Sequence, residues 1–134
     1  MLVVLLAACM PPGTPTVTFQ TASGDVRVAV DIADESAEWA QGLMFRESLA
    51  ENAGMLFIFP EEAEHRFWMK NTRIPLDMIF ISADKRVAAV ITAIPCVSDP
   101  CLTYSPQAHA RYVVEVNAGF AAQHGIQTGD RVTF

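Results

Sequence analysis

Apolar and polar positions alternate near the start of the chain, first at Val17 and Phe19, then at Val26, Val28, Val30 and Ile32. A period of two marks half-buried strands. Ser23-Gly24-Asp25 between them carries turn residues, which predicts a hairpin. The period then changes. Asp34 offers an N-cap, Glu35 and Glu38 place negative charge near the start of a helix, and Trp39/Leu43 and Ala40/Met44 fall four apart. A short amphipathic helix is predicted from Asp34 to about Met44. Arg46 to Gly54 is a polar loop, and Met55-Leu56-Phe57-Ile58-Phe59 is a continuous apolar run stopped by Pro60. Such a run predicts a strand buried on both faces. Glu61, Glu62 and Glu64 form an acidic turn, Arg66 to Met69 a short strand, and Met78 to Ile81 a strand resumed after the break at Pro75. Ser82-Ala83-Asp84-Lys85 turns the chain into a strand from Val87 to Ile94. Tyr112, Val114 and Val116 predict another strand, Asn117 caps a helix from Ala118 to His124, and Gly125 ends it. Gly129-Asp130 turns into a last short strand reaching Phe134. The pattern is that of an α+β domain: a compact, mostly antiparallel, barrel-like β-sheet with two short helices.

The first residues break this pattern. Met1 to Ala8 are apolar, too short to span a bilayer, and suit the apolar part of a secretory signal. Leu6-Ala7-Ala8-Cys9 resembles a bacterial lipobox, in which Cys9 becomes the lipid-bearing N-terminus, although no Lys or Arg precedes the run. Residues 1–8 are then a lipoprotein-type signal, 9–16 the lipid-bearing Cys and a Pro-rich tether, and 17–134 a single domain. The expected location is the bacterial envelope, with the protein facing the periplasm and touching the membrane only through a lipid anchor on Cys9.

Composition narrows the choice of partners. The whole chain has 134 residues, one domain's worth. Nine basic against 15 acidic residues leave a formal charge of −6, the wrong sign for gripping a phosphate backbone, so no nucleic-acid partner is expected. With Cys9 lipidated, Cys96 and Cys101 remain in the loop Pro95-Cys96-Val97-Ser98-Asp99-Pro100-Cys101. In an exported protein these suggest a structural disulfide. Free thiols and a metal site are the competing readings, although the chain lacks the thioredoxin-type CxxC and a second cysteine pair.

Chemistry is sparse. The chain carries no P-loop, dinucleotide fingerprint, nucleophile elbow or HExxH. His65, His109 and His124 share no ligand spacing, and Met44, Met55, Met69 and Met78 lack the clustering expected of a copper site. No metal or cofactor is expected. The densest polar group in an apolar setting runs from Phe67 to Asp77. Trp68 could stack on a ring while Lys70, Asn71 and Asp77 supply hydrogen bonds. An edge loop with paired charges explains the same residues. Asp77, between Leu76 and Met78, is either bonded to the Asn71-Thr72 turn or functional with a raised pKa.

Three stretches together carry a resemblance: Gln41-Gly42-Leu43-Met44-Phe45-Arg46, Gly54-Met55-Leu56-Phe57-Ile58-Phe59-Pro60, and Phe67-Trp68-Met69-Lys70-Asn71-Thr72-Arg73-Ile74-Pro75-Leu76-Asp77-Met78-Ile79-Phe80-Ile81. With Tyr112-Val113-Val114-Glu115-Val116-Asn117-Ala118-Gly119-Phe120 and Gly129-Asp130, the chain resembles the DUF192 family from about Val17 to Val132. The resemblance implies a small, often exported, β-rich α+β domain without an established activity, and it supplies no catalytic residues. Its signature positions correspond to Met44, Arg46, Trp68, Lys70, Asn71, Pro75, Asp77 and Glu115.

Two functional readings follow. One is a non-catalytic, envelope-tethered binding or interaction module for a small molecule, a saccharide or an envelope protein, with Arg46, Trp68, Lys70, Asn71 and Asp77 as ligand-binding candidates. The other is a small hydrolase or transferase using Asp77, Lys70 and Glu115 as acid–base groups near Arg46, which requires those side chains to converge.

Overall fold

Most strands of this chain curl into one sheet with an apolar cluster on each face. The computed structural model describes residues 12–134; the expected signal, Cys9 and the first part of the expected tether lie outside the described residues. β1 (Thr16–Thr21) and β2 (Gly24–Ala33) form the expected hairpin around Ala22-Ser23, and α1 (Ser36–Gln41) follows. The remaining elements are β3 (Ala53–Ala63), β4 (Phe67–Trp68), β5 (Leu76–Ile81), β6 (Val87–Ala93), β7 (Thr103–Tyr104), β8 (Ala110–Asn117), α2 (Phe120–His124) and β9 (Arg131–Thr133). Seven strands form one sheet in the order β6-β5-β8-β3-β2-β1-β9, and β4 and β7 pair separately. All ladders are antiparallel except β2 with β3. The two edges meet at one end, where the Val87 N–H donates to Asp130 O (2.9 Å), the Gly129 N–H to Val87 O (2.7 Å) and the Val132 N–H to Lys85 O (2.9 Å). The result is a curled half-barrel.

The sheet has a core on each side. Inside the curl pack Phe19, Val28, Leu56, Ile79, Val114 and Val116, with Phe120 and Ala121 of α2 among them. Outside, Leu43, Met55, Phe57, Met69, Met78, Phe80 and Val113 form a second cluster. Two covered faces explain the unbroken apolar runs of the central strands: every residue of β5 is buried. The outer cover arises from the parallel step. Parallel strands need a crossover, and here α1 and residues 42–52 make it, laying Trp39 and Leu43 on the sheet's outer face.

Several local expectations are corrected. Pro60 does not stop its strand: β3 runs on to Ala63 and takes in Glu61 and Glu62. Pairing with β8 is interrupted between Ile58 and Ala63, so Pro60 sits where the ladder needs no donor. The first helix is capped at Glu35 rather than Asp34 and ends at Gln41 rather than near Met44. Glu38 reaches back to accept the N–H groups of Asp34 (2.8 Å) and Glu35 (3.1 Å). Gly42, at φ +47, ends the helix; a Cβ there would lie 3.3 Å from the Phe57 ring. The strand predicted from Arg66 to Met69 is confined to Phe67–Trp68. The last helix starts at Phe120, not Ala118, and Gly119 is its N-cap residue. Asn117 stays in β8 and donates its amide to Leu49 O (2.9 Å), tying the crossover loop to the sheet.

Candidate functional site

The outer face carries a cavity of about 290 Å³ between α1, the end of β3 and the small β4–β7 sheet. Its walls are aromatic. Trp39 is held by one indole N–H shared between Ala33 O (3.0 Å) and Ile58 O (3.2 Å), so its ring faces are what it presents. The Trp39 and Phe59 rings lie 5.2 Å apart. His65 stacks on Phe59 at 3.8 Å, and Phe67 meets Phe59 edge-on at 6.2 Å. Trp68, 49% exposed, stands at the mouth. Gln41 to Met44 and Arg66 complete the rim.

Glu115 lies at the inner end. It projects from β8 onto the outer face, between its register partners Met55 on β3 and Met78 on β5. It is 5% exposed, and among the described residues it makes no hydrogen bond or ion pair. Burial among apolar groups penalises the carboxylate and raises its pKa from 4.5 to about 8. The other buried polar side chain lining the cavity, Thr72, turns its hydroxyl to Lys70 O (3.4 Å).

The residues singled out from sequence scatter. Trp68 and Glu115 line the cavity. Lys70 and Asn71 border a separate small hollow beside the Cys96–Cys101 loop, and the Lys70 Nζ sits 3.7 Å from Asp99 and 5.4 Å from the Trp68 ring centroid. Asn71 adopts φ +55, a conformation Asn tolerates, and its carbonyl accepts the Phe45 N–H at 2.8 Å, fastening the crossover loop. Arg46 pairs with Asp31 at 2.9 Å on the crossover's exposed side. Cys96 and Cys101 are joined in a disulfide.

Asp77 bonds neither Asn71 nor Thr72. It faces the inside of the curl, where it accepts the Thr92 hydroxyl (2.7 Å) and the backbone N–H of Ala121 (3.0 Å). The carboxylate thereby caps α2 from another element, supplying what Gly119 cannot. Asp77 is paired with Val116, one residue from Glu115, so the two acids point to opposite faces of the sheet. The acid–base group of Asp77, Lys70 and Glu115 near Arg46 therefore does not assemble. Among the described residues, no three His, Cys, Asp or Glu side chains converge to hold a metal ion.

Trp39, Phe59, His65, Phe67 and Thr72 were not singled out from the sequence. They come from four segments, and only the crossover brings α1 over the ends of β3 and β4.

Residues 17–134 match the DUF192 family, described as an uncharacterized ACR. A UPF0127 protein of Pyrococcus horikoshii is 32% identical over 114 residues, covering 81% of this chain and 86% of that protein. A crystal structure of a protein of unknown function from Novosphingobium aromaticivorans superposes with a TM-score of 0.84 at 36% identity, over 95% of this chain and 91% of the other. A Sinorhizobium meliloti protein, described as a candidate transcription regulator, superposes with a TM-score of 0.81 at 37% identity, over 88% of this chain and 91% of the other.

Proposed function

The chain belongs to the uncharacterized DUF192 family, and on the geometry of the outer-face cavity we propose that it is a non-catalytic module that binds a small molecule. The observation that carries this reading is the cavity itself: concave, lined by aromatic side chains, with one carboxyl, Glu115, that is 5% exposed and unpaired among the described residues. The residues that would have to cooperate in acid–base chemistry lie on opposite sides of the sheet. A lipid on Cys9 holds the domain at the bacterial envelope, which fits the apolar stretch before Cys9 and the Cys96–Cys101 disulfide. DNA regulation of the kind named for the Sinorhizobium neighbour is disfavoured here by the charge of −6.

The test is a thermal-shift screen of the domain against amines, saccharides and other small metabolites. A ligand at 100 times its Kd adds about 2.7 kcal/mol to stability. Hits should weaken in Trp68→Ala, whose exposed side chain can be removed without opening the core. A screen with no hit, or hits indifferent to Trp68→Ala, would overturn the reading.

A further inference from the structure

Resting on that reading, we propose that the cavity takes a small organic cation, a primary or quaternary ammonium group, between the aromatic faces and the carboxylate of Glu115. Two observations converge. The cavity's one acidic lining residue is Glu115, and among the described residues it has neither counter-ion nor hydrogen bond. The Glu115 side chain is open only to the cavity, and a ligand cation there supplies the counter-ion that no described residue provides. Trp39, Phe67 and Trp68 line the same cavity, and the negative face of an aromatic ring attracts a cation; the Phe59 ring is already covered by His65 at 3.8 Å. The Lys70 Nζ, 5.4 Å from the Trp68 centroid, is paired with Asp99 and lies outside the cavity lining.

Other ligand classes fit less well. An anion would meet Glu115. A sugar needs several hydrogen-bonding partners, whereas the buried polar groups here are Glu115 and Thr72, and the Thr72 hydroxyl is already turned to Lys70 O. The remaining charged or titratable groups near Glu115 are few. His65 stacks on Phe59 and Arg66 lies exposed at the rim. From β3 and β5 the facing residues are Met55 and Met78; on β8, Arg111 lies four positions away with its Nε on Phe59 O at 3.3 Å.

Burial holds the Glu115 proton up to about pH 8, so a cation that pairs with the carboxylate must displace that proton to solvent. Binding and deprotonation are then linked. The experiment is calorimetric titration of the protein with tetramethylammonium, choline and butylamine, which stay charged throughout, and with 3,3-dimethylbutan-1-ol, the neutral isostere of choline. Measurements run from pH 6 to 9 in buffers that contain no amine. The cations should bind about tenfold more tightly per pH unit up to pH 8 and level off above it, releasing close to one proton per cation at pH 7. Glu115→Gln should abolish the pH slope and weaken cation binding at least roughly tenfold. A pH slope that survives in Glu115→Gln, and so belongs to His65, would overturn the proposal, as would an absence of cation binding at pH 9. Equal binding of 3,3-dimethylbutan-1-ol and choline would overturn it too, while leaving the cavity a small-molecule site. The cavity reading itself falls if the wider screen is also empty or its hits are indifferent to Trp68→Ala.

Discussion

Replacing Glu115 with Gln removes one ionisation and little else, since the two side chains have nearly the same shape. In the folded protein the Glu115 pKa rises from 4.5 to about 8 because the carboxyl is buried among Met55, Met78 and the outer aromatic cluster. Each tenfold difference in proton affinity between folded and unfolded chains is worth about 1.36 kcal/mol, so the full difference amounts to about 5 kcal/mol. Its sign follows from proton counting. Between pH 4.5 and 8 the folded protein keeps a proton that the unfolded chain has lost, so stability falls as pH rises. The contribution is fully present below about pH 4.5, is lost progressively to pH 8, and is constant above. Glu115→Gln does not share this dependence. Urea denaturation of both proteins at half-unit pH intervals, in amine-free buffers, measures it directly. Subtracting one profile from the other cancels the remaining titratable groups. The wild type should lose up to about 5 kcal/mol relative to the variant between pH 4.5 and 8. Parallel profiles, differing by a constant, would show that Glu115 is solvated in the folded state and would refute the reasoning.

Other perturbations probe other parts of the fold. Asp77→Ala removes the acceptor for Thr92 and for the Ala121 N–H; chemical denaturation should show a loss of about 2–3 kcal/mol, with Asp77→Asn, which keeps one acceptor oxygen, losing less. Gly54→Ala places a Cβ 2.3 Å from the Glu115 backbone oxygen, so β3 must separate from β8; the same assay should show a loss of about 3 kcal/mol, and an unchanged midpoint would contradict the close approach. Reducing the Cys96–Cys101 bond opens a short loop, and the denaturation midpoint should fall by the equivalent of about 2 kcal/mol. Cys9→Ser should move the protein from the membrane to the soluble fraction of fractionated cells; continued membrane association would contradict lipid tethering.

Much of the architecture was legible because local periodicity has local causes. The alternation through Val17, Phe19, Val26, Val28 and Val30 specifies a hairpin with one face inward, and both strands are found there. The run from Met55 to Phe59 reads as a strand covered on two sides, which it is. Pro60 misled because its consequence depends on the partner strand: a bulge against β8 removes the need for its missing N–H. Asn117 misled for the same kind of reason. A good capping residue was claimed by carbonyls of the crossover loop, and the cap of α2 came instead from Asp77, more than forty residues earlier.

Asp77 and Glu115 show where sequence and tertiary structure divide the work. Each stands as one acid in a predicted strand; the sequence marks Asp77, between Leu76 and Met78, as needing an explanation, and offers Glu115 as an acid–base candidate and a signature position. The sequence cannot say on which face each acid lies, because a strand turns successive side chains to opposite sides and the register between distant strands is set by packing. Tertiary pairing put Asp77 inside, with two donors, and Glu115 outside, with none. The parallel crossover then carried Trp39 onto the same face of the sheet, where it and Glu115 line one cavity. All the strands but β7 (Thr103–Tyr104), their order of appearance and the family resemblance were legible residue by residue along the chain; the cavity exists only because non-local contacts bring separate segments to one side of the sheet.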